Sequence, residues 1–258
     1  MAGYAERWAQ KKRPSMKKQR YRNKLDFVED AFQACWTNAN DLIEAAKLLL
    51  DNELHGVALS MSVLAIEELG KLFCIDGLLF ARSDDDKAKA YAKSLKRHST
   101  KLSSFTLISF LLGNIAQVDP RLKSDPKFAQ AIAISINDLK IKGNKVFDLL
   151  PNFSFQDLNS LKQQGFYAQP YGNVFKSPNK ALTREVSQEI YELAWSAVTT
   201  LDFLLKDGNL QRYIKNARSI RGALTEEKHN ELKEQAKHLS EMIFATDNEV
   251  NFSGSKVH

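Results

Sequence analysis

Proline, glycine and cysteine are scarce in this sequence of 258 residues, which contains six, 11 and two of them. Proline and glycine disfavour helix interiors, so the long segments that lack both favour an all-α protein. The two cysteines, Cys35 and Cys74, stand among apolar residues in helix-like segments. That setting is more typical of buried free thiols than of a disulfide, and nothing indicates an oxidising compartment.

Long apolar runs are missing as well. No uninterrupted stretch of about 18 apolar residues occurs, so no membrane span is predicted. The N-terminus has no apolar core of the kind that signal peptides contain. With 43% hydrophobic and 26% charged residues, the composition is ordinary for a globular protein. We expect a cytoplasmic protein that has no membrane partner.

The positive charge is concentrated at one end of the chain. The formal net charge is +6, but residues 1–24 contain nine basic residues and one glutamate, which leaves 28 basic and 30 acidic residues elsewhere. The basic character therefore belongs to an N-terminal arm attached to a nearly neutral body. Such an arm fits contact with RNA, a ribosome or an acidic partner. A disordered solubilising arm and a mitochondrial transit peptide are the alternative interpretations.

Apolar residues at helical spacing predict most of the elements. The predicted helices cover residues 25–50, 55–80, 102–116, 126–150, 155–163, 181–206 and, in one or two pieces, 209–244. The segment 151–179 holds three of the six prolines and is predicted to end in an extended loop. The predicted organisation is a basic arm (1–24), a helical bundle (25–207), a C-terminal helical extension (208–246) and a frayed tail (247–258).

The second predicted helix carries charges within an otherwise apolar surface. In ALSMSVLAIEELGKLFC, the residues Glu67, Glu68 and Lys71 fall in one sector whose neighbouring positions are apolar. Gly70 beside them allows another backbone to come close. One interpretation is that Lys71 pairs with Glu67 and Glu68 to support a neighbouring loop. The other is a polar pocket with shifted pKa values.

Two further polar clusters accompany this helix. The stretch KRHSTK places His98 and Lys101 three residues apart, on one face at the entrance to an apolar helix. The stretch LKQQGFYAQPYGN contains Lys162 and Tyr167 in the one segment that does not show a plain helical pattern. Loops that interrupt a helical bundle often carry function, so the three clusters together favour a common polar site.

Five sequence elements follow one another in a set order. They are N-A-x-x-L, A-x-E-E-x-G-K, His-x-x-Lys, L-N-x-L-K-x-x-G-x-Y and Ser-Pro, and they lie within Asn38–Leu49, Ala58–Lys71, His98–Lys101, Leu158–Tyr167 and Ser177-Pro178. This set resembles the abortive-infection V (AbiV) family of bacterial anti-phage proteins over about residues 30–205. The resemblance implies a HEPN-like helical bundle, to which the basic arm and the C-terminal extension are added.

The resemblance also implies an activity. Many HEPN proteins are dimeric, metal-independent ribonucleases with an Arg-x4-6-His motif, and AbiV-like proteins are associated with shutting down translation during phage infection. On this basis we expect RNA or the ribosome as target, a phage-encoded activator, a homodimer, no metal and no cofactor. The sequence departs from the motif, because Arg97 and His98 are adjacent and the nearest match in spacing is Lys162-x4-Tyr167.

The candidate roles follow from the chemistry of RNA cleavage without metal. His98 suits the acid/base role, because its ordinary pKa is near neutrality. The phosphate would be held by lysines, and a glutamate would orient them or act as base. The candidate catalytic residues are His98, Glu67, Glu68, Lys71, Lys101, Lys162 and Tyr167, of which Tyr167 would bind phosphate or stack on a base. The candidate RNA contacts are Arg97, Arg212, Lys215, Arg218 and Arg221.

The sequence is compatible with three classes of function. The preferred hypothesis is an abortive-infection ribonuclease acting on RNA of the translation machinery. The alternative is a non-enzymatic protein that binds a phage protein or a ribosomal component, with the charged turn only supporting residues 161–173. A nucleotide sensor is the third, and it lacks a glycine-rich phosphate loop. The basic stripe of Arg212, Lys215, Arg218 and Arg221 is equally compatible with a solvated helix face.

Overall fold

The computed structural model describes residues 24–80, 96–105, 108–150, 154, 157–172 and 174–223. In this part of the chain the structure is all-α apart from one two-stranded hairpin, so the predicted fold class is confirmed. The basic arm, the loop expected near residues 83–86 and the extension after residue 223 lie outside the described residues. The chain divides into two compact units, Met1–Ile214 and Lys215–His258.

The elements are numbered in chain order. The helices are α1 (Lys24–Asp51), α2 (His55–Phe80), α3 (His98–Phe105), α4 (Ile108–Gln117), α5 (Arg121–Ser124), α6 (Pro126–Leu149), α7 (Leu158–Phe166), α8 (Pro178–Ala181), α9 (Arg184–Leu205) and α10 (Asn209–Ala223). Strands β1 (Gln169–Tyr171) and β2 (Val174–Lys176) pair antiparallel between α7 and α8. A short 3-10 turn, Lys206–Gly208, joins α9 to α10.

Most helix boundaries agree with the apolar periodicity, but two regions differ. The helix expected from residue 102 begins earlier, at His98, because the polar first turn of α3 has no apolar residues to mark it. The extended loop expected after α7 is a hairpin followed by the short helix α8. Three-residue strands are too short to show alternation, and Pro170 within β1 disguises the strand further. Gly172 makes the tight turn with a φ of 61°.

Helix α2 lies at the centre of the bundle and contacts α1, α3, α7 and α9. A helix that is apolar on all sides is buried on all sides, and Leu59, Ile66 and Leu72 have no exposed surface. Its polar residues are therefore forced to find partners inside the protein. None of the helices in the described part of the chain has the combination of length and apolar character needed to cross a bilayer.

Near its C-terminal end, α2 buries a further carboxyl group. The Tyr213 hydroxyl of α10 donates a hydrogen bond of 2.6 Å to Asp76 Oδ1. Burial raises the pKa of Asp76 to about 6, although the hydrogen bond from Tyr213 acts in the opposite direction. This contact ties the start of α10 to the central helix.

Two glycines set how closely neighbouring helices approach α2. A Cβ atom placed on Gly70 would lie 1.8 Å from the carbonyl oxygen of Lys101, so α3 crosses α2 with backbone against backbone. A Cβ atom on Gly165 of α7 would lie 2.1 Å from Ser60 Oγ and 2.2 Å from the carbonyl oxygen of Gly56. The close approach expected at Gly70 is confirmed, and it positions α3, whereas α7 approaches α2 about three turns earlier, at Gly56 and Ser60.

Candidate functional site

The candidate site is built on one buried carboxylate. Glu67 of α2 is 2% exposed and has donors on both of its carboxylate oxygens. Lys162 Nζ lies 2.5 Å from Oε1. His98 Nδ1 and Lys101 Nζ lie 2.6 Å and 3.2 Å from Oε2. Three sequence-predicted residues from two other helices therefore meet at one glutamate.

The helix α3 supplies two of these donors from one face. His98 and Lys101 are three residues apart, so both side chains point to the same side of the helix. The side chain missing at Gly70 lets the backbone of Lys101 lie against α2, which brings both donors to the turn that carries Glu67.

The helix α7 supplies Lys162 and is held to α2 along its backbone. Ser60 Oγ donates to the carbonyl oxygen of Lys162 at 2.8 Å. Gly165 packs beside Ser60, where no larger residue fits. These contacts fix the height of α7 on α2, and with it the position of the Lys162 ammonium group.

A second set of hydrogen bonds holds the segment after the hairpin to the start of α2. The backbone N–H of Gly56 donates to Asn179 Oδ1 at 2.9 Å, and Asn179 Nδ2 donates to the carbonyl oxygen of Glu53 at 3.0 Å. The segment from α7 to α8 is thus attached to α2 at both of its ends. Sequence reasoning missed Ser60 and Asn179. The sequence signal for this packing of α7 on α2 is the pair Gly56 and Ser60. They are small residues four positions apart on a helix of large apolar ones.

The electrostatic balance keeps Glu67 ionised. Burial by itself raises the pKa of a carboxyl group. Here the hydrogen bonds from Lys162 and His98, with the positive charges of Lys162 and Lys101, outweigh burial and hold the pKa of Glu67 below its ordinary value. The side chains of Lys101 and Lys162 are only 7% and 5% exposed. Two buried ammonium groups against one carboxylate leave an excess positive charge, which favours an anion nearby.

His98 is oriented for proton exchange with a ligand. An ionised carboxylate only accepts hydrogen bonds, so the 2.6 Å contact requires a proton on Nδ1. Lys162 Nζ, 3.4 Å from the same nitrogen, has no acceptor function and does not compete for that assignment. In a neutral imidazole with that proton, the second ring nitrogen, Nε2, is the acceptor. The His98 side chain is 56% exposed, so the imidazole is reachable from solvent while its inner edge is held.

The side chain of the neighbouring glutamate, Glu68, points away from the Glu67 cluster. Glu68 pairs with Lys71 at 2.5 Å, and it also accepts a hydrogen bond from the Cys35 thiol of α1. Burial and the Glu68 charge raise the pKa of Cys35 to about 12, so the thiol is protonated and unreactive at neutral pH. Of the two ion pairs considered for Lys71, the structure forms the one with Glu68. Lys71 therefore lies beside the Glu67 cluster rather than in it.

The remaining candidates lie elsewhere. Tyr167 is 60% exposed at the C-terminal end of α7, and its ring contacts the edge of Phe166. Arg97 is exposed immediately before α3. Arg212 and Lys215 are exposed on α10, and the side chains of Arg218 and Arg221 lie outside the described part of the structure. Cys35 and Cys74 are both free, as predicted, but only Cys74 is fully buried, whereas Cys35 is half-buried.

The donor set suits acid/base chemistry on an anion. It combines an imidazole, two ammonium groups and one carboxylate. Over the described ranges, no group of three or more histidine, cysteine, aspartate or glutamate side chains is placed to hold a metal ion.

Comparisons with known proteins identify the family. The family model described as AbiV matches residues 27–199, which include the whole Glu67 cluster. Searches of curated proteins and of solved structures gave no match. The matched region covers more than half of the chain and agrees with the all-α bundle found here. The chain belongs to the AbiV family of the HEPN superfamily, a family of abortive-infection defence proteins.

Proposed function

We propose that this protein acts in the cytoplasm as a metal-independent ribonuclease that cuts RNA of the translation machinery during phage infection. The observation that carries the proposal is the half-exposed His98 whose Nδ1 is held by the buried Glu67 carboxylate. A histidine fixed in one tautomer by a carboxylate is a common arrangement for a general base or acid. Control by a phage-encoded activator and assembly as a homodimer are parts of the proposal that rest on family membership.

In the proposed reaction the RNA attacks its own backbone. His98 Nε2 takes the proton of a ribose 2′-OH while the 2′-oxygen forms a bond to the adjacent phosphorus. The bond from phosphorus to the 5′-oxygen of the next nucleotide breaks, and that oxygen takes a proton from solvent. The products are a 2′,3′-cyclic phosphate and a 5′-hydroxyl end, with no oxidation or reduction. Glu67 stabilises the imidazolium that forms.

The buried ammonium groups supply the electrostatic part of the mechanism. Each lysine ammonium has three N–H donors, and the contacts of Lys101 and Lys162 with Glu67 use only some of them. The remaining donors and the excess positive charge would favour the negative charge that develops on the phosphorane oxygens. Lys71, which is paired with Glu68, has a smaller role in this scheme than the sequence suggested.

A second function is favoured by the same contacts. A carboxylate that satisfies donors from α3 and α7 also braces both helices against α2, and it would do so in a protein without enzymatic activity. In that case the protein would block translation by binding a phage protein or a ribosomal component, and the cluster would serve only the fold.

RNA from infected cells separates the two functions, because the trigger is then present. Cells expressing wild-type protein, His98→Gln or Lys96→Gln are infected, and RNA ends carrying 5′-hydroxyl groups are mapped. Lys96 is an exposed basic residue two positions before His98 and serves as the matched control. We expect discrete cleavage in wild type and Lys96→Gln, and at least a hundredfold less in His98→Gln. Purified wild-type protein, activated with lysate from infected cells, should produce the same ends in EDTA.

Two results would contradict the nuclease. Protection from phage without new RNA ends would favour the binding function. Cleavage of equal strength in His98→Gln would show that another residue carries the chemistry. Unfolding of each variant by urea checks that the half-exposed His98 was changed without loss of the fold.

A further inference from the structure

The hairpin formed by β1 and β2 carries apolar side chains that are exposed to solvent. Val174 and Phe175 are neighbours in β2 and so point to opposite faces of the hairpin. They are 58% and 77% exposed, which means that neither face is covered at this position. Tyr167, two residues before β1, is 60% exposed. Exposed apolar side chains gathered in so short a segment indicate a binding surface.

The register of the hairpin gives this surface a flat apolar side. Phe175 stands directly opposite Pro170 across the two strands, so both rings are on the same face. Pro170 is exposed as well. The rings of Phe175 and Pro170 together form a flat apolar surface on which a planar group can stack.

The charge around the hairpin indicates what kind of partner fits. Between Asp157 and Glu185 the chain has no acidic residue and four basic ones, Lys162, Lys176, Lys180 and Arg184. Lys180 and Arg184 are exposed. These basic residues would attract a polyanion, whereas they would contribute nothing to the binding of a purely apolar partner. Exposed aromatic rings together with basic residues are the combination that binds single-stranded nucleic acid without sequence preference.

We propose that Tyr167 and Phe175 stack on the bases of single-stranded RNA and that the segment 158–184 guides this strand to the Glu67–His98 cluster. The choice of RNA rests on the proposed function. The same helix, α7, carries Lys162 in the cluster and ends just before Tyr167, which lies about 7.5 Å further along the helix axis. Because the segment after the hairpin is attached at Gly56, a strand stacked on the hairpin would run about 16 Å along α2 to bring its backbone to the turn that carries Glu67. A rigid duplex would not be able to offer its bases.

The test uses the full-length chain carrying His98→Gln, so that bound RNA is not cut. A short single-stranded RNA containing the fluorescent base 2-aminopurine reports stacking by quenching, and its anisotropy reports affinity. We expect Phe175→Ala to weaken binding by roughly five- to hundredfold and to abolish quenching. Phe175→Trp should retain both. Binding of duplex RNA, which takes place through charge alone, should change by less than about twofold.

Matched controls separate stacking from other roles of the hairpin. Leu48 on α1 is 65% exposed, and Leu48→Ala should leave binding of single-stranded RNA unchanged. Phe175→Leu keeps an apolar side chain but removes the ring, so it should behave like Phe175→Ala. If Phe175→Leu binds RNA like Phe175 itself, or if Phe175→Ala loses nothing, the stacking proposal is wrong, and the surface is instead a protein-docking site. The basic arm is the same in all variants and does not affect the comparison.

The outcome is independent of the nuclease test. Ring-dependent binding in a protein that cleaves no RNA would sustain this inference and remove the proposed function. If the protein cleaves RNA but neither its binding nor its activity depends on Phe175 and Tyr167, the proposed function stands and this inference is wrong.

Discussion

At the scale of a single residue, Glu67 contributes both to the stability of the protein and to the proposed chemistry. It is buried in the central helix, where an ionised carboxylate is costly, and three positive or polar donors from α3 and α7 offset that cost. The same contacts hold His98 in one tautomer. Stability and the proposed chemistry therefore depend on one side chain, and the two can be separated only by changing different members of the cluster.

Replacing Glu67 by glutamine should destabilise the protein by about 3–5 kcal/mol at pH 7, because Lys101 and Lys162 would stay buried without a countercharge. Urea unfolding measures the change. Since the pKa of Glu67 is lower in the folded state, its contribution is present above its ordinary pKa near 4.5 and is lost as the pH falls through the folded value. The difference between the two proteins should therefore shrink below about pH 4.5.

The neighbouring residue provides the control. Glu68→Gln removes a pair with Lys71 that is partly exposed, so we expect a loss of about 1 kcal/mol or less. Equal losses in the two variants would contradict the asymmetry that the structure shows between these adjacent glutamates.

At the scale of the elements, backbone contacts at glycines decide where the helices meet. Gly70→Ala would drive a methyl group against the Lys101 carbonyl oxygen, which lies 1.8 Å from the position of the new atom. We expect a loss of about 1–3 kcal/mol in the free energy of unfolding, since neither backbone can yield without moving α3. The proposed RNA cleavage should fall as well, because His98 and Lys101 move with that helix.

Gly113 in α4 is the matched glycine, with open space where its Cβ would stand. Gly113→Ala should stabilise the protein by about 0.5–1 kcal/mol through helix propensity alone. Thermal or urea unfolding compares the two variants. Tolerance of alanine at position 70 would mean that α3 does not cross α2 as closely as described here.

At the scale of the whole molecule, two buried carboxyl groups of α2 give the folding equilibrium opposing dependences on pH. The pKa of Asp76 is raised to about 6 by burial, above the value of 3.8 expected when the chain is unfolded. The native state then binds this proton more tightly, so stability falls as the pH rises from about 4 to 6. Glu67 acts in the opposite direction at lower pH, where protonation costs stability.

Asp76→Asn should remove the fall in stability that occurs as the pH rises from about 4 to 6. The amide oxygen still accepts the hydrogen bond of the Tyr213 hydroxyl, but no charge is buried above pH 6. We expect the variant to be more stable than wild type by about 2–3 kcal/mol at pH 8 and about equal to it at pH 4. Urea unfolding between pH 4 and 8 is the measurement. Parallel curves for the two proteins would show that Asp76 does not titrate in this range.

The all-α class, the family and the main helices could be predicted from the sequence, because apolar periodicity and the order of the motifs are local properties of the chain. The sequence also singled out Glu67, His98, Lys101 and Lys162, since charges in an apolar helix and a histidine among basic residues are visible without coordinates. The short strands of the hairpin were not visible, because three residues show no alternation.

Which of these residues meet depends on the packing of the helices and could not be predicted. The 100° between Glu67 and Glu68 on α2 sends one toward α3 and α7 and the other toward Cys35 of α1, and no sequence pattern indicates which side faces which helix. The pairing was settled by where Gly70 and Gly165 allow backbones to approach. Long-range packing of this kind depends on the shapes of several elements at once, which a linear pattern does not contain.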